Sequence, residues 1–291
     1  MALRKLKEFC VPERMEEAVA LLEKYGSSAM ILAGGSFIRG IEARGFLSEV
    51  EALIDIRKLG LDGLSSGSDE LRIGAMASFA QLKQASEVQT AAWLGTVKDA
   101  LTYPPLQIKN VATVGGCLAA SCPFFDLPVA FMALDGRVTA ISAAAKREIG
   151  LGGLFTGLFE NSLARNEIIS ELILPRNSSR SASAFIKLEG NANDLAIVNV
   201  AASLTIDALG LCREARVVLG GGVGNRVVRS PSAEMLLQGH DLTDERLQLA
   251  AEAVGQDINP TTDHRASAGY RLTVAKVLAR RTLSRARDRL V

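Results

Sequence analysis

The first apolar pattern along the chain is helical. Met15, Ala18, Val19, Leu22 and Tyr25 recur three or four positions apart, between Pro12 and Gly26, which is the spacing of one helix face. A short apolar run then covers residues 29–33 and stops at Gly34-Gly35. A run of that length closed by paired glycines reads as a buried strand entering a tight loop. Residues 52–56 and 71–76 give two more short strands. Ser78 followed by Gln81 has the form of a capping box and opens a helix to about residue 88. A helix over 97–101 is broken by Pro104-Pro105. Residues 111–114 read as another strand running into paired glycines, Gly115-Gly116. An apolar helix over 127–134 follows Pro123 and Asp126, and strands follow over 137–142 and 168–174.

Residues 175–181, Pro-Arg-Asn-Ser-Ser-Arg-Ser, are polar and turn-forming, the best linker in the chain. Beyond them the texture changes. Strands over 184–188, 197–206 and 215–219 come in a row, and helices over 232–238, 244–254 and 268–285 follow. Strands and then helices predict an α+β unit in which a three-stranded sheet is covered by helices. There is no internal repeat and no low-complexity tract.

Composition narrows the class. With 291 residues, two domains are the better expectation. Hydrophobic residues at 48% and charged residues at 22% describe an ordinary globular chain and exclude disorder, coiled coil and collagen. Lys+Arg 33 against Asp+Glu 32 leaves a formal charge of +1, so there is no field for nucleic acid. No run is long enough for a membrane span, and residues 1–18 lack the apolar core of a signal peptide. The 4 cysteines are too sparse for a disulfide scaffold, and a cytoplasmic location is expected.

Chemistry concentrates at the two glycine pairs. Paired glycines after a strand allow positive φ and remove side chains that would hold a ligand off; successive N–H groups can then cradle an anion such as a pyrophosphate. Two ordinary strand-ending turns would look the same. Neither pair fits the dinucleotide fingerprint or the P-loop. Asp126 at a helix start reads first as an N-cap. Cys117 and Cys122, in Cys-Leu-Ala-Ala-Ser-Cys, read as free buried thiols, since Cys10 and Cys212 lie far off and a cluster needs about four thiolates. His240 and His264 have no companions for zinc. The final helix carries Arg271, Lys276, Arg280, Arg281, Arg285, Arg287 and Arg289 on an apolar frame. It reads as a solvated basic face helped by the helix dipole, or as a docking face for an acidic partner subunit.

Taken in order, ILAGGS at 31–36 and ATVGGCLAASCPFFDLPVAFMALD at 112–135 resemble the flavin-binding medium subunit of the molybdenum hydroxylases, the family of xanthine dehydrogenase and carbon monoxide dehydrogenase. IISELILP, FIKLEGNANDLAIVNVAASL and RVVLGGGVGNRVVR agree in order, as does ASAGYR with the VLARRTL that follows it. The resemblance implies an α+β protein with a two-part flavin domain of the vanillyl-alcohol-oxidase (PCMH) type over 1–176, divided into about 1–57 and 58–176. A small C-terminal domain with a three-stranded sheet and helices would fill 177–291.

The resemblance also implies a site. FAD would be held non-covalently, its pyrophosphate wrapped by a first loop from Ala33 to Gly40, with Gly34, Gly35, Ser36, Phe37 and Ile38, and by a second through Thr113, Val114, Gly115, Gly116 and Cys117. Asp126 would take a ribose hydroxyl, Tyr103 would stand near the flavin, and Ile169 and Lys187 would line the adenine end or the isoalloxazine edge. The chain departs from the family at three places. Cys117 replaces the usual Asn. Ser36-Phe37-Ile38-Arg39 replaces T-[DE]-[LI]-L. Glu189-Gly190-Asn191 replaces an Arg pair after Lys187. The molybdenum cofactor and [2Fe-2S] clusters would sit on a large and a small partner subunit, in a heterotrimer or a dimer of heterotrimers. FAD would pass their electrons to NAD, a quinone or O2. A flavin-free scaffold subunit and a standalone flavin oxidase are the rival readings.

Overall fold

The computed structural model describes the chain except for residues 1, 2, 4, 43, 44, 46, 177–179 and 291, and except for the side chain of Arg39. Among the described residues three larger sheets organise it, beside a two-stranded pair, Phe155–Gly157 with Glu160–Asn161. The first is small and parallel, with strand order Glu8–Cys10, Ala52–Asp55, Ala29–Leu32. The amphipathic helix Met15–Tyr25, at the bounds its periodicity predicts, is the crossover between the outer strands. It buries Ala18, Val19 and Leu22 against Ile54 and Ile56, as a parallel sheet requires of the helix that connects it.

The second sheet is antiparallel, with strand order Leu64–Ser66, Glu70–Gly74, Ile168–Pro175, Arg137–Ile141, Lys146–Gly150. Ile168–Pro175 is its centre and alternates little, because both faces are covered: Ile168, Ile169, Leu172, Ile173 and Leu174 are all buried. The predicted capping box is present. Gln81 N–H donates to Ser78 Oγ at 3.2 Å and Ser78 N–H donates to Gln81 Oε1 at 2.8 Å. The helix it opens is shorter than expected. It ends at Gln84, and Ser86–Thr90 is a separate helix because Ala85 is extended.

Two expectations are corrected. Residues 111–114 are not a strand. Thr113 is the N-cap of the helix Val114–Ala119, its hydroxyl accepting from Gly116 N–H at 3.2 Å. The C-terminal sheet has four strands, not three. Ser181–Leu188, Val198–Ile206 and Cys212–Gly221 form the expected antiparallel core, and the two-residue strand Val228–Arg229 adds an edge. The helices Pro231–Leu237, Asp244–Ala253 and Ala268–Arg287 cover one face. Three residues of the expected linker, 177–179, lie outside the described residues.

The core runs through both halves. Phe185, Ala201 and Val218 of the C-terminal sheet share one buried cluster with Trp93, Val97, Leu118 and Phe131. This packing puts Lys187 and Asn199 beside the segment that carries Asp126. No helix among the described residues is long and apolar enough to cross a membrane.

Candidate functional site

A cavity of about 560 Å³ lies where the first sheet, the second sheet and the start of the C-terminal sheet meet. Pockets of roughly 300–1,000 Å³ hold cofactors and drug-sized ligands. Thirteen of the expected site residues line it: Ala33, Gly34, Gly35, Ser36, Phe37, Ile38, Thr113, Gly115, Gly116, Cys117, Asp126, Ile169 and Lys187. Val114 and Tyr103 do not. Val114 is fully buried in the core. Tyr103 packs edge-on against Phe185 at 5.7 Å, and its hydroxyl accepts from the Lys187 N–H at 3.2 Å.

The two glycine pairs do different work. The first loop is open. Ala33, Gly34, Gly35 and Ser36 leave the end of the strand Ala29–Leu32, and Gly35 has φ +66, a conformation that side chains resist. A Cβ on Gly34 would coincide with the Val111 carbonyl oxygen, so only glycine lets the two loops approach. Among the described residues, the N–H groups of Gly34, Gly35 and Ser36 donate to no protein acceptor. These are the donors an anion needs.

The second pair was expected to offer a matching nest and does not. Val114 N–H donates to the Ala77 carbonyl at 3.0 Å, Gly115 N–H to Ala75 at 2.8 Å and Cys117 N–H to Thr113 at 3.0 Å. Gly116 N–H is taken by the Thr113 cap. The glycines here make room. A Cβ on Gly115 would stand 2.5 Å from the Ala75 Cβ, and one on Gly116 would stand 2.8 Å from Thr113 Oγ1, facing Ala33 across the cleft. The second loop is therefore a close-fitting wall opposite the donors of the first.

Asp126 occupies the N-cap position of the helix Leu127–Ala133 but caps nothing; its backbone is already helical. Its carboxylate turns inward instead. Oδ2 accepts from Lys187 Nζ at 3.1 Å and Oδ1 from Asn199 Nδ2 at 3.0 Å. Lys187, its side chain 3% exposed, also lies 2.9 Å from Glu189 Oε2 and 5.1 Å over the Tyr103 ring. Burial pushes the Asp126 carboxyl above its ordinary range, against the opposing pull of Lys187 and Asn199. Both partners come from the C-terminal sheet, so the cluster ties one domain's strand to the other domain's cavity wall.

Phe37 sits in an aromatic group. Its ring meets Phe125 edge-on at 5.0 Å and stacks on Phe159 at 5.9 Å. This holds the first loop down on the segment that leads to Asp126. Several lining residues were not found from sequence: Ile31, Ala75, Phe79, Pro104, Pro105, Ile108 and the turn at 193–195. They belong to separate elements and carry no shared local signal. The two prolines that break a helix were the one hint.

The residues fit FAD on geometry. The first loop offers free backbone donors for a pyrophosphate, the second offers a wall without side chains, and Ile31, Phe79, Ile108 and Ile169 offer apolar surface for a ring system. A wider groove of about 1060 Å³ runs along the final helix beside Lys276, Arg280, Arg281 and Arg285. It has no glycine loop and is open to solvent. Among the described residues no group of His, Cys, Asp and Glu could hold a metal ion.

Comparison with known proteins agrees with this geometry. Residues 4–177 match the model of the FAD binding domain in molybdopterin dehydrogenase, and residues 183–286 match the carbon monoxide dehydrogenase flavoprotein C-terminal domain. The chain is 32% identical to the 6-hydroxypseudooxynicotine dehydrogenase complex subunit alpha of Paenarthrobacter nicotinovorans, over 97% of this chain and 95% of that one. It is 28% identical to the carbon monoxide dehydrogenase medium chain of Hydrogenophaga pseudoflava, over 96% of each. A solved chain of carbon monoxide dehydrogenase from Hydrogenophaga pseudoflava superposes with a TM-score of 0.92 at 29% identity, covering 98% of this chain and 99% of that one.

Proposed function

The chain belongs to the FAD-binding medium subunits of molybdenum hydroxylase-type dehydrogenases, and on that premise we propose that it relays electrons through one non-covalent FAD in the cavity described above. The donors would be [2Fe-2S] clusters of a small partner subunit, supplied in turn by a molybdenum centre on a large one. The acceptor would be NAD, a quinone or O2. The observation that carries the reading is the first loop, whose Gly34, Gly35 and Ser36 N–H groups are unspent and line the cavity.

When bound, FAD supplies the redox chemistry. The chain's own residues bind, orient and shield. Gly34, Gly35 and Ser36 would donate to the pyrophosphate through backbone N–H groups, which cost no side-chain entropy to order. Gly115 and Gly116 keep the opposite wall close. Asp126, anchored by Lys187 and Asn199, keeps further lone pairs for a cofactor hydroxyl. Ile169 and Phe79 would shield the rings from water. No acid–base residue is required of this chain.

The test is purification from the native source. We expect a yellow preparation that releases FAD on acid precipitation, about one per chain, with an iron–sulfur subunit and a molybdenum subunit alongside. The separated chain should oxidise no organic substrate. A colourless chain that stays colourless after mixing with FAD would favour a scaffold role. A solitary chain that turns over an organic substrate would favour a standalone flavoenzyme.

A further inference from the structure

Two segments of the cavity wall come from different matched domains. Phe124–Asp126 belongs to the first, and the turn at 193–195, between the strands Ser181–Leu188 and Val198–Ile206, belongs to the second. The bonds inside the turn are local. Asn191 N–H donates to Asp194 Oδ2 at 3.0 Å, and Asp194 N–H donates to the Asn191 carbonyl at 3.1 Å. The turn is tied to its surroundings at its end, one residue past Leu195. Ala196 N–H donates to the Phe124 carbonyl at 3.3 Å, and Ile197 N–H donates to the Leu188 carbonyl at 2.8 Å.

Arg265 joins both segments from behind. Its guanidinium carbon lies 4.4 Å from the centre of the Phe124 ring, and its Nη1 donates to the Ala196 carbonyl at 3.4 Å. The side chain is 22% exposed, so the cation meets the ring partly desolvated, where such a contact is stronger than in open water. Arg265 is itself held in place. Its Nη2 donates to Asp263 Oδ2 at 3.2 Å and its backbone N–H to Asp263 Oδ1 at 2.8 Å. Asp263 is fixed in turn by the fully buried Arg271, whose Nη2 lies 2.7 Å from Oδ1. The wall that Arg265 supports reaches the pyrophosphate donors: Phe125, next to Phe124, meets the Phe37 ring of the first loop at 5.0 Å.

We propose that Arg265 is a positioning residue for the cofactor: it holds Phe124 and the 193–195 turn in register with each other, and thereby sets how tightly the chain binds FAD. It acts through Phe124 and Ala196, since it does not itself line the cavity. The physical reason is preorganisation. A ligand that must first order its own site binds more weakly by the fraction of time the site is formed, so a wall in place only about a tenth of the time costs tenfold in affinity. The inference rests on the flavin reading above.

The experiment titrates the full apo chain and its Arg265→Ala, Arg265→Gln and Arg265→Lys variants with FAD, well below their unfolding midpoints. Amide exchange over residues 189–197 is followed in the same apo proteins. In Arg265→Ala the Kd should rise about tenfold, and the Ala196 N–H should exchange faster than in the unmutated chain. Arg265→Gln should weaken binding by about threefold, because the neutral amide loses the attraction to the ring; it keeps the test readable if the alanine variant does not fold. Arg265→Lys, which returns a cation to the Phe124 ring without the two-pronged reach, should recover part of the loss. A merely structural role would lower the thermal midpoint and leave both the Kd of the folded chain and the exchange over 189–197 unchanged. FAD affinity in Arg265→Ala, or in Arg265→Gln if only that variant folds, equal to that of the unmutated chain would overturn the proposal and leave the flavin reading standing. An unmutated chain that binds no FAD would sink the flavin reading, and the role of Arg265 with it.

Discussion

Arg289 grips Asp99 with both arms of its guanidinium: Nη1 lies 2.8 Å from Oδ2 and Nη2 lies 2.8 Å from Oδ1. The same Nη1 donates to the Ser183 carbonyl at 2.7 Å, and Asp99 Oδ2 also accepts the Phe185 N–H at 3.0 Å. The end of the last helix is thereby fastened to the helix Gly95–Ala100 and to the first strand of the C-terminal sheet. Arg289, expected on the last helix's basic face, lies just past its end and is internal structure.

Arg289→Ala should destabilise the chain by about 1–3 kcal/mol, the range for charge-assisted hydrogen bonds that leave a partly buried carboxylate behind. Arg289→Lys should recover little, since one ammonium cannot replace a two-pronged contact. Chemical denaturation of the three proteins measures this. An unchanged midpoint for Arg289→Ala would mean that the clasp contributes nothing.

Gly116→Val and Gly115→Val should differ. At Gly116 the added carbon faces Thr113 Oγ1 and Ala33 across the cleft. The helix cap weakens by about 1 kcal/mol, the chain still folds, and FAD binding is lost. At Gly115 the added carbon meets Ala75, including its carbonyl oxygen at 2.9 Å. The fold itself should then suffer. Flavin titration beside thermal denaturation separates the two, and undiminished FAD affinity in Gly116→Val would refute the wall assignment.

Asp126→Asn should stabilise the apo chain at neutral pH. The carboxyl's folded pKa is raised above its ordinary 3.8, chiefly by burial. Its ionisation therefore costs folded stability as pH rises from the ordinary value through the raised one. Asparagine escapes that cost, and Lys187 keeps Glu189 as a partner. The advantage should be present at pH 7 and vanish below about pH 4. FAD affinity should fall in the same variant. Denaturation midpoints for both proteins across this range decide it, and an advantage that persists in acid would contradict the burial account.

Asp263→Asn should show the opposite sign. Burial alone would raise this carboxyl. Hydrogen bonds from Arg271 and from the N–H groups of Arg265 and Ala266 outweigh it and hold the pKa well below the ordinary 3.8. The stability it contributes is present above the ordinary value and is lost as pH falls toward the depressed one. Arg271 is fully buried, so the substitution leaves a buried cation short of its partner. We expect a loss of about 3–5 kcal/mol at pH 7, the range for breaking a buried pair. The gap to the unmutated chain should narrow only as the pH drops below about 4. A pH-independent loss would mean that packing, not charge, is responsible.

Local pattern alone determined the elements whose cause is local. The helix Met15–Tyr25 follows from its periodicity and the box at Ser78 and Gln81 from two side chains three positions apart. The strand at 29–32 with its open glycine loop follows from an apolar run and Gly35's positive φ. Motif order also reached the family and the two glycine-paired loops of the cavity wall. Tertiary structure decided the rest, because distant partners compete for the same groups. Residues 111–114 carry a strand's β-branched side chains, yet the Ala75 and Ala77 carbonyls take the N–H groups of Gly115 and Val114, and Thr113 caps a helix. Asp126 stands where a cap would, but Lys187 and Asn199, brought in by another sheet, outbid the local N–H groups for its carboxylate. The edge strand Val228–Arg229 is too short to have a period. Phe79, Ile108 and the turn at 193–195 share a cavity only because three sheets converge there. A charge or a hydrogen-bond donor finds its best partner in space, and spacing along the chain records only partners that lie within a turn or two.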